Sequence, residues 1–318
     1  MHKARHEAWR LDYRANRYLR DLTDLDVLAR AGHIATNLLT HSSDGRLAVK
    51  PLDADSTWMQ RYTHVLEELV IRCIDSRNQE IVNAMNSPIP KSPKVIKALK
   101  KLANRNWPKP IIAKFGKREY TSELLLYGRG RISLASTYND TSLGYARADD
   151  ESHVTGCIDP SNAHRFMVGI QEGNGIQGFD VDVPYLGSVS VEVSAKPPFY
   201  ICCLAEAIDP RLFDDFSDAD SCVIITDPDH FKRRLVATIA EQLPGWRSLS
   251  GAIVYFDPFF CRAHNMVPHF WKHFRYSYQK EHRLVWHPPT IHNGSAPVPD
   301  HIYFDLGPLT NCAEFFWL

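Results

Sequence analysis

The chain has no apolar run approaching the ~18 residues that a membrane-spanning helix requires, so no spanning segment is expected. Its opening, MHKARHEAWRLDYR, is charged and has no apolar stretch, which argues against a secretory leader. Seven cysteines at irregular spacing give neither a disulfide framework nor a Cys-x-x-Cys metal pair. Cys202 and Cys203 are adjacent in an apolar run, where reduced, buried thiols are expected; the implied compartment is the cytoplasm. There is no G-x-x-x-x-G-K-[ST] loop, which excludes P-loop nucleotide hydrolysis, and no G-x-S-x-G elbow for a serine hydrolase. Repeats and low-complexity tracts are also missing.

What is present suits a globular protein. The 318 residues are 44% hydrophobic and 23% charged, enough for one large domain or two ordinary ones. The net charge of zero hides an asymmetry. Residues 91–118 carry ten basic side chains and no acid, whereas residues 209–220 (DPRLFDDFSDAD) are acidic. Basic blocks face anions by default, which makes Lys94, Lys97, Lys100, Lys101 and Arg105 candidates for nucleic-acid binding. A solvated helix face accounts for the same pattern.

The first hundred residues read as helical. Trp58, Tyr62, Val65, Leu66, Leu69, Val70 and Cys73 keep a helical period within residues 56–84. Ser92 and Pro93 form an N-cap and first turn for a helix over 94–102. Residues 105–110, with two prolines, mark a boundary. Beyond it come short strands: IIAKF, RISLAS, RFMVGI, FDVDV, SVSVEV, FYICCLA, CVIIT, AIVYF, RLVW and IYFDL. Helices are predicted over 121–127, over 228–242 behind an Asp227 cap, and over 268–278. The fold class expected is α+β: a helical region at 1–108, then a mixed or antiparallel β domain at 109–318.

Two motifs fail on context. Gly173-Asn174-Gly175-Ile176-Gln177-Gly178 fits G-x-G-x-x-G, but a strand follows where the fingerprint needs a helix, and Asn174-Gly175 signals a hairpin. Cys261, His264, His269 and His273 suggest a metal, yet aromatic packing explains them as well, and no metal is expected. Asp140, Asp149, Asp150 and Glu151 are weak candidates for a metal-dependent phosphodiester hydrolase. The more informative stretch is residues 274–286, FRYSYQKEHRLVW. Glu281 and Arg283 are two apart on a strand and therefore share a face, with Leu284 and Trp286 expected one on each face. A surface salt bridge is the plain alternative. Phe270, Trp271, Phe274 and Tyr278 are expected to form a helix stripe that supports this carboxylate.

Lys114-Phe115, then residues 133–140 (SLASTYND), a middle block at 200–227, the strand 252–256, and Lys272 leading to Glu281-x-Arg283-Leu284 follow one another in a definite order. This order resembles a bacterial domain-of-unknown-function family found among phage-resistance (abortive-infection) genes. The resemblance covers roughly 109–288. Two departures stand out: Thr141-Ser142-Leu143 replaces the family's Pro-Phe-Glu, and the middle block lacks its tryptophan. The order is also similar to that of ADP-ribosyltransferases, which implies a split β-sheet and NAD as substrate. By that similarity Glu281 would be the catalytic carboxylate with Arg283 beside it, and Lys114, Arg118, Ser136, Tyr138, Asn139 and Asp140 would hold NAD. The function implied is an ADP-ribosyltransferase-like effector, a phage-defence toxin acting on nucleic acid or protein, with an antitoxin or regulator as a further partner. The alternative is a non-catalytic nucleic-acid or protein-binding module that uses residues 91–118.

Overall fold

The computed structural model describes residues 2–42, 46–50, 56–74, 92–103, 105–139, 153–158, 166–172, 175–181, 189–194, 198–216, 218–260, 267–289 and 298–318. The chain begins with α1 (His2–Ala15), α2 (Asp24–Leu38), the short pair β1 (Leu39–His41) and β2 (Leu47–Val49), α3 (Ser56–Ile71) and α4 (Pro93–Leu102). Thr23 caps α2 by accepting from the Asp26 N–H, and Asp24 and Asp26 suit the positive end of its dipole. Val27, Ala31, Ile34 and Leu38 recur at helical spacing and are buried with Tyr13, Leu19, Val65 and Leu69 in a core between α1, α2 and α3. Two buried carboxylates tie the layer together. Glu67 accepts from Arg10 and Arg14 at 2.5 Å each. Glu68 accepts from Arg17, Arg72 and the Tyr13 hydroxyl.

The rest is built around one antiparallel sheet. In chain order the elements are β3 (Ile112–Gly116), α5 (Arg118–Tyr127), β4 (Arg129–Leu134), β5 (His153–Ile158), β6 (Phe166–Glu172), β7 (Gly175–Val181), β8 (Val189–Ser194), β9 (Tyr200–Ala205), α6 (Leu212–Asp215), β10 (Ser221–Ile225), α7 (Pro228–Gln242), β11 (Arg247–Ala252), β12 (Val254–Phe256), β13 (Trp271–His273), β14 (Glu281–His287), β15 (His301–Asp305) and β16 (Ala313–Trp317). The sheet runs β11-β14-β9-β3-β10-β16, and β4 joins β15 to β9. β14 pairs with β9 along its whole length, from Glu281 opposite Ala205 to Trp286 opposite Tyr200. The other edge of β9 is therefore shared. β4 takes one end through Ser133–Ile201 and Leu134–Tyr200, and β3 takes the other through Ala113–Ala205. Between those pairings the sheet divides.

The main core lies on one face of this sheet, where α7 presents Phe231, Leu235 and Ile239 to Tyr200, Leu284, Trp286 and Phe304. Helix α5 ends at Gly128 with φ of 70°, and a Cβ there would fall 2.1 Å from the Gly307 carbonyl, so only glycine fits the turn. The helical layer packs on the segment before β14. Arg30 donates to Asp257 from Nη1 at 3.0 Å and from Nη2 at 2.6 Å, and Asn37 donates to the Phe274 carbonyl at 2.8 Å.

Several expectations change. The helix over 268–278 does not form; 3₁₀ turns at Pro268–Phe270 and Phe274–Gln279 flank β13 instead. Its proposed stripe is dispersed: Phe274 joins the helical core, Tyr278 the core around Phe115, and Phe270 packs beside Val285. Leu284 and Trp286 share one face, as residues two apart on a strand must. The described part of the helix over 56–84 ends at Ile71; residues 75–91 lie outside the described residues, as do Cys261, His264, Asp149, Asp150 and Glu151. The G-x-G-x-x-G segment belongs to the antiparallel pair β6–β7, with Glu172 opposite Gly175, and opens no helix.

His33 and His273 face each other at the join between the layers, with ring centroids 5.5 Å apart. Burial, then the nearby guanidiniums and the neighbouring ring, push them down to about 4 and about 3. Both are neutral when folded, while the unfolded chain protonates them near ~6.5. The stability they contribute is complete above that value and drains away as pH falls toward 4. Denaturant titrations over this range should show the midpoint falling with acidification. In His273→Phe the fall should be shallower; an unchanged slope would assign the pH dependence elsewhere.

Candidate functional site

A cavity of about 1220 Å³ opens where β3 and β4 separate. It is larger than the ~300–1,000 Å³ of ordinary small-ligand pockets. Lys114, Ser133, Thr137, Tyr138, Cys203, Lys272, Gln279, Glu281 and His301 are among its lining residues. Among the described residues the middle of β9 has no strand partner on that edge, and a part-buried carbonyl there gains from a donor. Lys114 supplies it: its Nζ donates to the Cys203 carbonyl at 2.9 Å.

Glu281 stands at the first position of β14 and reaches the cavity wall although it is buried. Arg283, two residues on, points to the same face and donates from Nε to Oε1 at 2.6 Å and from Nη2 to Oε2 at 3.3 Å. Lys272 Nζ donates to Oε2 at 3.2 Å, and the Cys203 thiol also donates to this carboxylate. Burial alone would raise its pKa. The charges of Arg283 and Lys272 outweigh that, and the carboxyl is held well below the usual range. Arg283 Nη1 donates to the His269 carbonyl at 3.1 Å, and the side chain is 0% exposed. Tyr255 fixes the backbone here by accepting from the Glu281 N–H at 2.7 Å, while parallel pairing of β12 with β13 sets Tyr255 opposite Lys272.

The sequence-predicted residues fall into three groups. Lys114, Tyr138 and Glu281 line the one cavity, and Arg283 lies behind Glu281 as its support. Ser136 is exposed and outside the lining, because the chain after β4 turns as a 3₁₀ helix, Ala135–Asn139, which points Thr137 and Tyr138 inward instead. Arg118 is also elsewhere: its N–H bonds Asp220 at 2.7 Å and its guanidinium lies 5.3 Å from the Trp317 ring centroid. Asp140 lies outside the described residues, as does the Asn139 side chain. In the basic block, Lys94 donates to the Ala219 carbonyl, Lys101 to the Trp317 carbonyl, and Arg105 lies over Phe316. Lys97 and Lys100 are exposed on α4.

Sequence reasoning passed over the roles of Lys272, Cys203, Tyr255 and Thr137. Lys272 was visible as the lysine of the late Lys…Glu-x-Arg order; the others carry no local signal. Among the described residues no group of three or more His, Cys, Asp or Glu could hold a metal, and no helix is long and apolar enough to cross a membrane. Comparison with protein-family models, curated proteins and solved structures finds no match for this chain.

The ion cluster is asymmetric, which gives a test. Removing Arg283 strips Glu281 of two donors and frees the His269 carbonyl, whereas removing Lys272 leaves the guanidinium in place. Breaking a buried pair from one side costs ~3–5 kcal/mol. Arg283→Met should approach that loss in denaturant unfolding, and Lys272→Met should cost clearly less. Equal losses would mean that the two cations hold Glu281 equally.

Proposed function

We propose that this protein is an ADP-ribosyltransferase-like enzyme that cleaves NAD in the divided-sheet cavity and passes the ADP-ribosyl group to a macromolecular acceptor. The observation that carries the reading is that Lys114, Tyr138 and Glu281, far apart in sequence, line one cavity with an ionised carboxylate at its wall. The volume accommodates a dinucleotide. Lys114 offers a cation to the pyrophosphate, and the Tyr138 ring offers a flat apolar surface to the nicotinamide end.

In this reading the bond from ribose C1′ to the nicotinamide nitrogen breaks heterolytically, and nicotinamide leaves with the electron pair. Positive charge builds on the ribose, and a fixed anion lowers that barrier because it needs no reorganisation as the charge develops. Glu281 is suited to this role by the cations that hold it in one rotamer. The same cations make it a weak base, so the acceptor's proton passes to solvent or to another group. Arg283, fully buried, acts as a positioning residue. The family resemblance adds a place for such an enzyme, as a cytoplasmic phage-defence effector under the control of an antitoxin or regulator.

Release of labelled nicotinamide from NAD, with and without cell extract, tests the assignment. Glu281→Gln should lower the rate by ~10² or more, and Tyr138→Ala should chiefly raise KM for NAD. Thermal melts accompany both, because Glu281→Gln leaves two buried cations short of charge. A folded Glu281→Gln variant that turns over NAD as the native protein does would end the proposal, as would failure of the native protein to bind NAD in calorimetry.

A further inference from the structure

The two-stranded ribbon of β4 and β15 forms one wall of the cavity and has faces of opposite character. Ile132, Leu134, Ile302 and Phe304 point into the main core, and Gly130 lies against the Phe304 ring. The alternate positions form the other face in three cross-strand pairs: Ser133 with His301, Arg131 with Tyr303, and Arg129 with Asp305. All six line the cavity. Four of them are engaged. His301 shares a hydrogen bond with Ser133 Oγ at 3.0 Å, and Arg129 holds Asp305 at 3.1 Å. The middle pair differs. Tyr303 is 67% exposed, and Arg131 is exposed with no carboxylate partner among the described residues.

We propose that this face binds single-stranded nucleic acid, a base stacking on Tyr303 and a phosphate meeting Arg131, and so brings the acceptor to the cleft. The proposal rests on the transferase reading for its chemistry, though not for the binding itself. An exposed aromatic beside a guanidinium that has no carboxylate partner among the described residues suits base stacking with phosphate contact, and the stacking is sequence-tolerant because every base has a π-face. A small ligand needs most of its surface covered, which so open a platform does not provide, whereas a polymer can lie across it and extend one nucleotide inward. A protein partner would require a larger apolar patch than one tyrosine among five polar or charged neighbours offers. The lining carries charges of both signs, but Glu281 and Asp305 are taken up by ion pairs with Lys272, Arg283 and Arg129, while Lys117 and Arg131 are exposed at the cavity and Lys114 lies within it. The register also places Arg131 on the Cys203 level of the divided sheet, across the gap from the strand that pairs with Glu281's own.

Fluorescence anisotropy with labelled oligothymidylate and oligouridylate, without NAD, tests the surface. Tyr303→Ala should weaken binding by ~10-fold, the loss of one stacked base. Arg131→Gln should lower the salt slope by ~0.7, the value of one phosphate on a single strand. Both positions are exposed, so the fold should survive, and thermal melts verify it. A Lys97→Gln/Lys100→Gln variant should bind normally. The proposal is overturned if neither oligonucleotide binds, if Tyr303→Ala and Arg131→Gln bind as the native protein does, or if the α4 variant alone loses affinity. Nicotinamide release without oligonucleotide binding would remove this surface and leave the transferase reading. Tyr303-dependent binding without NAD turnover would do the reverse.

Discussion

One edge of β9 serves two strands, and the site follows from that. β14 occupies the whole of its other edge, so β3 and β4 must each take one end of what remains. Neither can continue along β9 without displacing the other, and the sheet opens between them. Open backbone inside a protein is costly unless paired. The Lys114 amine at the Cys203 carbonyl reduces that cost and brings a positive charge into the gap. The cavity is thus a consequence of strand bookkeeping, and its first polar group is there for structural reasons before any ligand is considered.

The second polar group has a similar double character. Burying Glu281 alone would favour its neutral form; burying it with Arg283 and Lys272 keeps it charged. Such clusters contribute little net stability, because desolvating three charges offsets most of their attraction. What they provide is a carboxylate fixed in place, with Oε1 and Oε2 each held by a named donor. A fixed, weakly basic anion can stabilise positive charge, and it is poorly suited to removing protons. Under the proposed function that property favours glycosidic-bond cleavage over general-base hydrolysis.

Local signals in the sequence read well, and tertiary ones did not. Ser92 and Asp227 cap their helices as spacing indicated, because capping is settled within four residues. Glu281 and Arg283 share a face for the equally local reason of strand period. The aromatics of 268–278 fit a helical period while their burial is divided among three cores; parallel pairing of β13 with β12 and the buried Lys272 outweigh helix propensity there. The motif points to Ser136 as a site residue, but the 3₁₀ turn after β4 rotates it to solvent in favour of Thr137 and Tyr138. Which strands compete for β9 is decided by long-range pairing, which no local stretch of the chain signals; a split sheet entered only as what the resemblance implies.

The helical layer is bound into the same argument. Asn37 on α2 donates to the Phe274 carbonyl and accepts from Ser277 at 2.5 Å, so it grips the turn that leads into β14 at two points. Asp257, just after β12, takes both arms of Arg30 and a third bond from Arg61 at 3.2 Å. Arg211 reaches back from the α6 region to the Thr36 carbonyl at 2.9 Å. These groups are largely buried, so separating the layers would strand guanidinium and carboxylate charges with no partner. Tyr255 and Lys272, which set Glu281, each stand two residues before an anchored point, Tyr255 before Asp257 and Lys272 before Phe274. Helices α1 to α3 therefore belong to the support of the carboxylate as directly as the strands do, and a change that loosens α2 reaches Glu281 through a single turn of chain.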